Sequence, residues 1–304
     1  MLTYREKDNF IYKLHPYTVI SFVLAVFVLS MVFSHPLHLL ALLAAVGLLL
    51  LASGSWQEWK GYIKLSLTLM IVIILVNAVF ARGGSAVLYN GPSLPLVGPV
   101  QISLEALAFG AGMSLRLLVI TSVFCLYTSV VNPDKVTRLL GGLGHRSVMV
   151  ISLSTRLFPL IVKDYRRISE IQRCRGVRLY TGKWWQRARN MLPMASILLL
   201  SSMERSLQMA ESMYARGYGS GVRTYYQREL WHPRDYLVLL MTALGLLLGF
   251  WSSFEGWSGY NYYPVLEKFN VSQIVSALLT GIILMFPALL NWGWEKYPIL
   301  RSRI

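Results

Sequence analysis

The chain has 304 residues, of which 55% are hydrophobic and only 14% are charged, and its mean hydropathy is +0.51. An ordinary soluble domain carries about 25% charged residues, so this composition argues against a soluble globular protein. Lys and Arg outnumber Asp and Glu by 29 to 14, which gives a formal charge of +15. The two cysteines, Cys125 and Cys174, form no zinc motif and no disulfide framework, which excludes redox and structural-metal roles.

Six apolar segments follow a polar start of fifteen residues. Several are bounded by Pro, Gly or Trp, as membrane-edge segments often are, and they cover residues 17–33, 37–52, 65–81, 102–131, 236–251 and 271–292. No small-residue cleavage site follows the first segment, so we expect a retained span and not a signal peptide. The sequence therefore predicts an all-α, polytopic integral membrane protein with about six transmembrane helices.

Basic residues fall almost entirely on one side of this topology. The two tails, loop 53–64 and the long segment after the fourth span hold 26 of the 29 Lys and Arg, whereas the opposite loops hold only Arg82 and Lys268. Lys and Arg mark cytoplasmic loops. We therefore expect a multi-pass protein of the cell membrane with both termini in the cytoplasm. The outer loops, 82–101 and 252–270, are expected to be interfacial turns.

This topology divides the chain into three regions. Residues 1–131 form an N-terminal membrane region with about four spans, residues 132–235 a cytoplasmic region, and residues 236–304 a C-terminal membrane region with about two spans. The cytoplasmic region holds 18 basic and 7 acidic residues, a net charge of +11. Its apolar residues recur at three- and four-residue spacing, which indicates a pair of long amphipathic helices and not a disordered basic tail.

The two long helices are predicted from their apolar stripes. The first would run from near Ser147 to Cys174, with a stripe at Ile151, Ser154, Phe158, Ile161, Tyr165 and Ile168. Pro159 lies inside it and should kink it, because proline lacks the backbone donor. The second would run from near Asn190 to Ala215, with a stripe at Leu199, Met203, Leu207, Ala210 and Tyr214. A short helix starting at residues 132–134 is expected before both.

Both long helices are expected to end in an arginine followed by a glycine. The two ends read Cys174-Arg175-Gly176 and Ala215-Arg216-Gly217. Glycine readily adopts the left-handed conformation that terminates a helix, so each arginine would project from a helix C-terminus. One such arginine is explained by the attraction of a cation to the negative end of the helix. Two copies 41 residues apart favour a shared function.

With these two motifs, the sequence resembles the transmembrane T component of energy-coupling factor (ECF) transporters, the group that includes the membrane subunit of cobalt and nickel uptake systems. That family carries an Ala-Arg-Gly motif at the end of each of two cytoplasmic coupling helices. Here Cys174 replaces the first alanine, and cysteine is nearly as small and apolar. Supporting features are Arg116 within a span and the Arg-x-x-Pro stretch from Arg156 to Pro159.

The resemblance implies a non-catalytic scaffold of an ECF-type ABC importer, without a cofactor of its own. Two cytoplasmic ABC ATPase subunits would hydrolyse ATP, a small membrane S component would capture a vitamin or transition-metal ion, and this chain would couple them. The implied ATPase-docking residues are Arg175, Arg216, Cys174, Gly176, Ala215 and Gly217. The implied pivot and packing residues of the coupling helices are Arg156, Pro159, Met203, Met209 and Met213. The methionines are explained equally well by ordinary helix packing.

Two other classes of membrane protein stay open as alternatives. Glu105 and Arg116 suggest an integral membrane enzyme, because charged residues within a span are usually functional. No catalytic motif accompanies them, and a packing role is favoured for Arg116. A stand-alone permease would need polar residues along its spans, and apart from Asn77 and these two the expected ones are lacking.

Residues 175–190 place Tyr180, Trp184 and Trp185 among basic residues, a pattern that suits nucleic acid or anionic lipid. Contact with the lipid bilayer is favoured, because attraction to acidic lipids already explains basic residues beside a membrane. Nucleic acid is not expected as a partner. The two tryptophans are expected in the connection between the long helices, as an interfacial anchor.

The five histidines show no spacing typical of metal ligands. His35 and His38 are three residues apart, but they lie beside Pro36 at a predicted turn. No metal site is therefore predicted.

Overall fold

The structure is a computed structural model that describes residues 10–80, 86–94, 98–132, 135–136, 145–177, 183–221, 231–264, 266–267 and 270–296. The chain forms two compact units. Met1–Lys135 together with Glu229–Ile304 forms the first, which we call the membrane unit because it carries the apolar helices. Val136–Arg228 forms the second, which we call the two-helix unit.

A short 3-10 helix at Phe10–Lys13 precedes the eight α-helices and one β-hairpin of the described residues. In chain order they are α1 (Pro16–Val32), α2 (Pro36–Ala52), α3 (Trp56–Phe80), β1 (Val87–Leu94), β2 (Gly98–Ser103), α4 (Leu104–Val130), α5 (His145–Cys174), α6 (Trp184–Ala215), α7 (Pro233–Phe254) and α8 (Val271–Lys296). Helices α5 and α6 belong to the two-helix unit and the rest to the membrane unit.

The apolar helices confirm the predicted all-α, integral membrane class. Helices α3, α4, α7 and α8 contain stretches long and apolar enough to cross a bilayer. Helices α1 and α2 are apolar but have 17 residues each, which is about 25 Å and short for a hydrocarbon layer of about 30 Å. All six predicted apolar segments are thus mainly helical.

Three helices of the membrane unit begin at a His-Pro pair. His15, His35 and His232 are the residues before α1, α2 and α7, and a proline follows each. Proline suits the first helical position because the N–H it lacks would have no partner there. The Nδ1 atoms of His15 and His35 also accept a hydrogen bond from the N–H two residues further on, at 3.3 Å and 3.2 Å.

Glycines allow the membrane helices to approach closely. A side chain at Gly249 of α7 would overlap Leu29 of α1, and one at Gly245 would lie 2.9 Å from Leu284 of α8. Small residues at such contacts are typical of membrane helices, which gain no hydrophobic effect on packing in lipid. These glycines therefore fix the position of α7 between α1 and α8.

A buried polar cluster ties the N-terminal segment to the start of α7. Asp235 is fully buried, and its two carboxylate oxygens accept hydrogen bonds from the backbone N–H of His15, at 2.8 Å, and of His232, at 2.9 Å. Arg234 is also buried, and its guanidinium donates to the Lys13 carbonyl at 3.1 Å. Both charged side chains therefore hold backbone groups of a distant segment.

The structure corrects two of the predicted loops. Helix α3 begins at Trp56, so most of the predicted loop 53–64 is helical. The first turns of α3 are polar and include Glu58 at the positive helix end, so a search for apolar segments does not detect where this helix begins. Within the predicted outer turn 82–101, β1 and β2 form an antiparallel hairpin, because β-forming residues such as Val, Tyr and Ile recur beside the glycines and prolines. Residues 81–85 and 95–97 lie outside the described part.

The two-helix unit contains α5, of 30 residues, and α6, of 32 residues. Helix α5 begins two residues before the predicted Ser147 and continues through Pro159. The predicted start of the second helix near Asn190 is wrong, since α6 begins at Trp184. The Gln186 side chain accepts from the Lys183 N–H at 3.3 Å, which extends the helix start. The short helix predicted before α5 lies outside the described residues, apart from helical residues 135–136.

Candidate functional site

The two arginine-glycine ends of α5 and α6 have the same backbone geometry. Gly176 and Gly217 have φ angles of +82° and +80°, in the left-handed region that favours glycine. In both ends the glycine N–H donates to the carbonyl three residues before it, at 2.9 Å. The N–H of the next residue donates to the carbonyl five residues before it, at 3.1 Å and 3.0 Å. Each arginine is thus the C-cap of a Schellman motif.

Both arginine side chains point away from their own unit. Arg175 and Arg216 are exposed, and neither side chain has a hydrogen bond or ion pair with the residues that the structure describes. The residues before them, Cys174 and Ala215, are small and exposed as well. A planar, permanently charged guanidinium with five donors can form paired bonds with a carboxylate or bind carbonyl groups. Each end therefore offers an exposed cation with no bond to the described residues.

The cap geometry itself is not special to these two ends. Gly54 after α2 and Gly256 after α7 have φ angles of +68° and +76°, with the same pair of hydrogen bonds. The cap residues there are Ser53 and Glu255. The exposed arginine, and not the turn, is therefore what sets the ends of α5 and α6 apart.

An ion pair between Asp164 and Arg205 joins α5 and α6. An Arg205 guanidinium nitrogen lies 2.6 Å from a carboxylate oxygen of Asp164, and the two side chains are 29% and 28% exposed. Asp164 lies eleven residues before Arg175, and Arg205 lies eleven residues before Arg216. At 1.5 Å per residue each distance is about 16 Å. The ion pair is therefore equally far from both arginine ends, along its own helix in each case.

One face of helix α6 is packed and the opposite face is exposed. Met194 is buried, and Leu198, Ser201 and Arg205 of the same face are partly buried. The opposite face carries a row of exposed apolar side chains, which we call the α6 stripe; its members are Trp185, Leu192, Leu199, Met203, Leu207 and Tyr214. These residues lie within about 40° of one line along the helix, at 100° per residue. The described residues of the two-helix unit therefore leave the predicted apolar face of this helix exposed.

The other residues proposed for pivoting and packing are on or near the surface. Arg156 and Pro159 are exposed on α5, beside Phe158, which is 65% exposed. Met203 is 61% exposed, whereas Met209 and Met213 are partly covered. The three methionines of α6 thus differ in exposure, and Met203 alone of them belongs to the α6 stripe.

The two charged residues of span α4 have separate structural partners. Arg116 donates through Nη2 to the Phe33 carbonyl, at 2.8 Å, and to the Ser34 hydroxyl, at 3.3 Å, so it holds the end of α1. Glu105 is buried at the start of α4, where its carboxylate accepts from the Ala86 N–H at 3.0 Å. The pair that suggested an enzyme is therefore not brought together.

His35 and His38 are buried next to each other, with ring centroids 5.6 Å apart. The Nε2 atom of His38 lies 3.1 Å from the Ser276 hydroxyl oxygen, within hydrogen-bond distance. Nowhere in the described part of the chain do three or more His, Cys, Asp or Glu side chains come together as metal ligands would. Both rings therefore serve the contact between α2 and α8 and the cap of α2.

Residues 7–226 match the model of the CbiQ cobalt transport protein family. The chain belongs to this family. It is 36% identical over 193 residues to the energy-coupling factor transporter transmembrane protein EcfT of Streptococcus thermophilus. That alignment covers 59% of this chain and 71% of the relative. The EcfT proteins of Acidaminococcus fermentans and Listeria innocua are 28% identical over 261 residues and 29% identical over 194 residues. These alignments cover 81% and 60% of this chain, and 94% and 71% of the relatives.

The family match confirms the resemblance drawn from the sequence. This CbiQ-family protein is a transmembrane transport component of the ECF type. The matched range 7–226 contains α1 to α6, and so includes both arginine ends, whereas α7 and α8 follow it.

Two groups of residues in this CbiQ-family protein escaped the sequence analysis. The Asp164–Arg205 ion pair was missed, although the 41 residues between its members repeat the 41 between Arg175 and Arg216. The Asp235 cluster was missed too. The sequence His-Pro-x-Asp at residues 232–235 is nevertheless typical of a helix start in which the third helical residue, Asp235, accepts a hydrogen bond from the N-cap residue, His232.

Proposed function

We propose that this chain is the energy-coupling scaffold of an ECF-type ABC importer and that Arg175 and Arg216 dock two cytoplasmic ABC ATPase subunits. One observation carries the proposal. Two helix ends of identical backbone geometry each present an exposed arginine without a partner in the described structure, and both lie eleven residues from the ion pair that joins their helices. Two equivalent cations suit two equivalent partner subunits.

The chemistry of each end fits insertion into a groove. The guanidinium would bind acidic side chains or carbonyl groups of an ATPase, with paired, charge-assisted hydrogen bonds. Cys174 and Ala215 are small enough to let a groove wall come close. Gly176 and Gly217 end the helices directly after the arginine, so no further helical turn continues past it.

The two helices would transmit the motion of the ATPases. When the ATPases close on ATP and reopen, each would displace the arginine end that it holds. Because Asp164 and Arg205 join the helices at equal distance from the two ends, a movement of one end is passed to the other helix. Arg156 and Pro159 lie at the exposed part of α5 where a pivot would act.

The part of the α6 stripe from Leu192 to Tyr214 is the surface proposed for the S component. The described residues of its own unit leave this apolar helix face exposed, and exposed apolar surface of this extent usually marks an interaction site. Met203 on the stripe, with Met209 and Met213 near it, is adaptable enough to accept different partners. The S component would capture the vitamin or transition-metal ion, and this chain would be a non-catalytic subunit.

The orientation of the chain follows from its charge. The predicted cytoplasmic segments hold 26 of the 29 Lys and Arg, and this excess sets the topology of multi-pass proteins. We therefore place both termini and the two-helix unit in the cytoplasm, on the side where ATP and the ATPases are found.

A pull-down with paired charge reversals tests the docking proposal. Arg175→Glu with Arg216→Glu should abolish recovery of the ATPases with this protein in detergent, because a carboxylate would repel the acidic groove. Arg166→Glu with Arg167→Glu is the matched control, since it makes the same change of charge at exposed positions of α5 and should leave recovery intact. If the first variant still co-purifies stoichiometrically, the docking assignment is wrong. Substrate uptake by the chain alone in proteoliposomes would instead support a stand-alone permease.

A further inference from the structure

The first turn of α6 exposes two adjacent tryptophans. Trp184 and Trp185 are 66% and 69% exposed, and their ring centroids lie 3.9 Å apart. Tryptophan is highly buried on average in folded proteins, so two neighbouring rings left open to solvent indicate a surface that another molecule covers. The two proposed docking ends, at Arg175 after α5 and at Arg216 after α6, do not include these rings.

The charge around these rings has one sign. The sequence contains no acidic residue between Glu170 and Glu204, whereas it contains six basic ones: Arg173, Arg175, Arg178, Lys183, Arg187 and Arg189. Of these, Lys183, Arg187 and Arg189 flank the two tryptophans on the exposed first turns of α6. We call Lys183, Trp184, Trp185, Arg187 and Arg189 the tryptophan turn. Whatever covers it must combine an apolar part with negative charge.

The apolar part of this surface extends along the helix. Trp185 lies on the α6 stripe, two turns before Leu192, which is also exposed. Tryptophan prefers the boundary between hydrocarbon and water, because its ring is apolar and its N–H is polar. Long basic side chains beside it can bury their stems and keep their charges at the level of phosphate groups. This combination matches the surface of an anionic bilayer.

The membrane unit tethers the two-helix unit to a bilayer. Four of its helices have stretches that can cross a membrane, so the chain holds its own lipid surface at high local concentration. Anionic lipids attract basic segments beside the cytoplasmic leaflet. A nucleic acid could also stack on the rings, but nothing in the chain brings one into reach.

We infer that the tryptophan turn is an interfacial anchor that binds anionic phospholipid headgroups of the surrounding bilayer. The rings insert at the level of the headgroups, and Lys183, Arg187 and Arg189 hold the phosphates. The anchor fixes the N-terminal end of α6 at the membrane and leaves the end with Arg216 free to move. This inference does not depend on the ATPases, so it stands or falls separately from the proposed function.

Tryptophan fluorescence of the whole protein in lipid nanodiscs tests the anchor. The chain has nine tryptophans, so the signal of the pair is the difference between wild type and the variant Trp184→Phe with Trp185→Phe. In discs with phosphatidylglycerol brominated near the headgroup, we expect this difference signal to be strongly quenched by the lipid and protected from acrylamide. Trp292→Phe, which removes an exposed tryptophan of α8, is the matched control and should leave the pair's signal unchanged.

The charged part of the site is tested with Lys183→Gln, Arg187→Gln and Arg189→Gln together. Quenching of the pair by brominated phosphatidylglycerol should fall at least several-fold and become as weak as in phosphatidylcholine discs. Lys163→Gln, Arg166→Gln and Arg167→Gln remove the same charge from α5 and should have no effect on it. Recovery of the ATPases should remain unchanged in both variants.

Two results would overturn the inference. One is a difference signal that acrylamide quenches fully in phosphatidylglycerol discs while the brominated lipid does not quench it. The other is protection of the pair by a single-stranded RNA oligonucleotide but not by phosphatidylglycerol, which would assign the turn to nucleic acid.

Discussion

Arginines of the membrane unit and the arginines at the two helix ends of the two-helix unit have opposite surroundings. In the membrane unit, Arg116 and Arg234 each donate to the backbone carbonyl of a distant segment, at 2.8 Å and 3.1 Å. In the two-helix unit, Arg175 and Arg216 are exposed at helix ends and have no side-chain partner among the described residues. The first pair stabilises the fold, and the second pair is available to another molecule. The comparison separates arginines that hold the fold from arginines proposed to dock a partner, by what each side chain contacts and not by their number.

The largest effect on folding is expected in the polar cluster beside Arg234. Asp235→Ala would leave the buried N–H of His15 and the partly buried N–H of His232 without their acceptor. A buried donor without a partner costs about 1–3 kcal/mol, so we expect a loss of about 2–5 kcal/mol in the free energy of unfolding. Thermal unfolding in detergent measures it. A variant as stable as wild type would show that the cluster contributes nothing to the fold.

A paired substitution sharpens the comparison between the two kinds of arginine. Arg116→Met should destabilise the protein by about 1.5–3 kcal/mol, because it removes a charged hydrogen bond to the Phe33 carbonyl. Arg175→Ala should change stability by less than about 0.5 kcal/mol, as is usual for exposed positions without partners. The same unfolding assay compares the two variants. Equal losses in both would contradict the division of roles.

At the Asp164–Arg205 ion pair we expect a smaller effect on stability than at Asp235 or Arg116. A partly exposed pair contributes about 0.2–1 kcal/mol, so Asp164→Arg alone should cost little stability. It should nevertheless lower the amount of substrate taken up per ATP hydrolysed, because the two helices would no longer be held at equal distance from their ends. The check is uptake and ATP hydrolysis by the reconstituted transporter.

The exchanged pair, Asp164→Arg with Arg205→Asp, is the control for this prediction. It restores the opposite charges at the same positions and should recover the ratio of uptake to hydrolysis. If the single and the exchanged variants behave alike, the ion pair has no positioning role.

Local sequence patterns predicted those parts of the fold that depend on local physics. Apolar runs revealed six helices, since membrane spans need about 20 apolar residues. The positions of Gly176 and Gly217 revealed where α5 and α6 end, because a left-handed residue there favours glycine. The family was also recognisable from the sequence, because the two arginine-glycine ends are short motifs within helices of clear periodicity.

The remaining features depend on contacts between distant residues, or on segments whose sequence suits a helix and a connection equally well. No local pattern shows that Asp164 meets Arg205, or that Arg116 reaches the Phe33 carbonyl, because these contacts depend on how the helices pack. The start of α6 was missed because Trp184 and Trp185, among basic residues, suggest an interfacial connection as readily as a helix. The polar first turns of α3 hid its start in the same way.

The most direct test of the central claim is the affinity of the ATPases for single-arginine variants. Arg175→Ala and Arg216→Ala, each in the full chain in nanodiscs, are titrated with the purified ATPases and compared with wild type. Because the two ends have the same geometry, we predict that each substitution weakens binding by a similar factor, at least about tenfold for a residue at the centre of an interface. Unchanged affinity in both variants would contradict the proposal that these two arginines dock the ATPases.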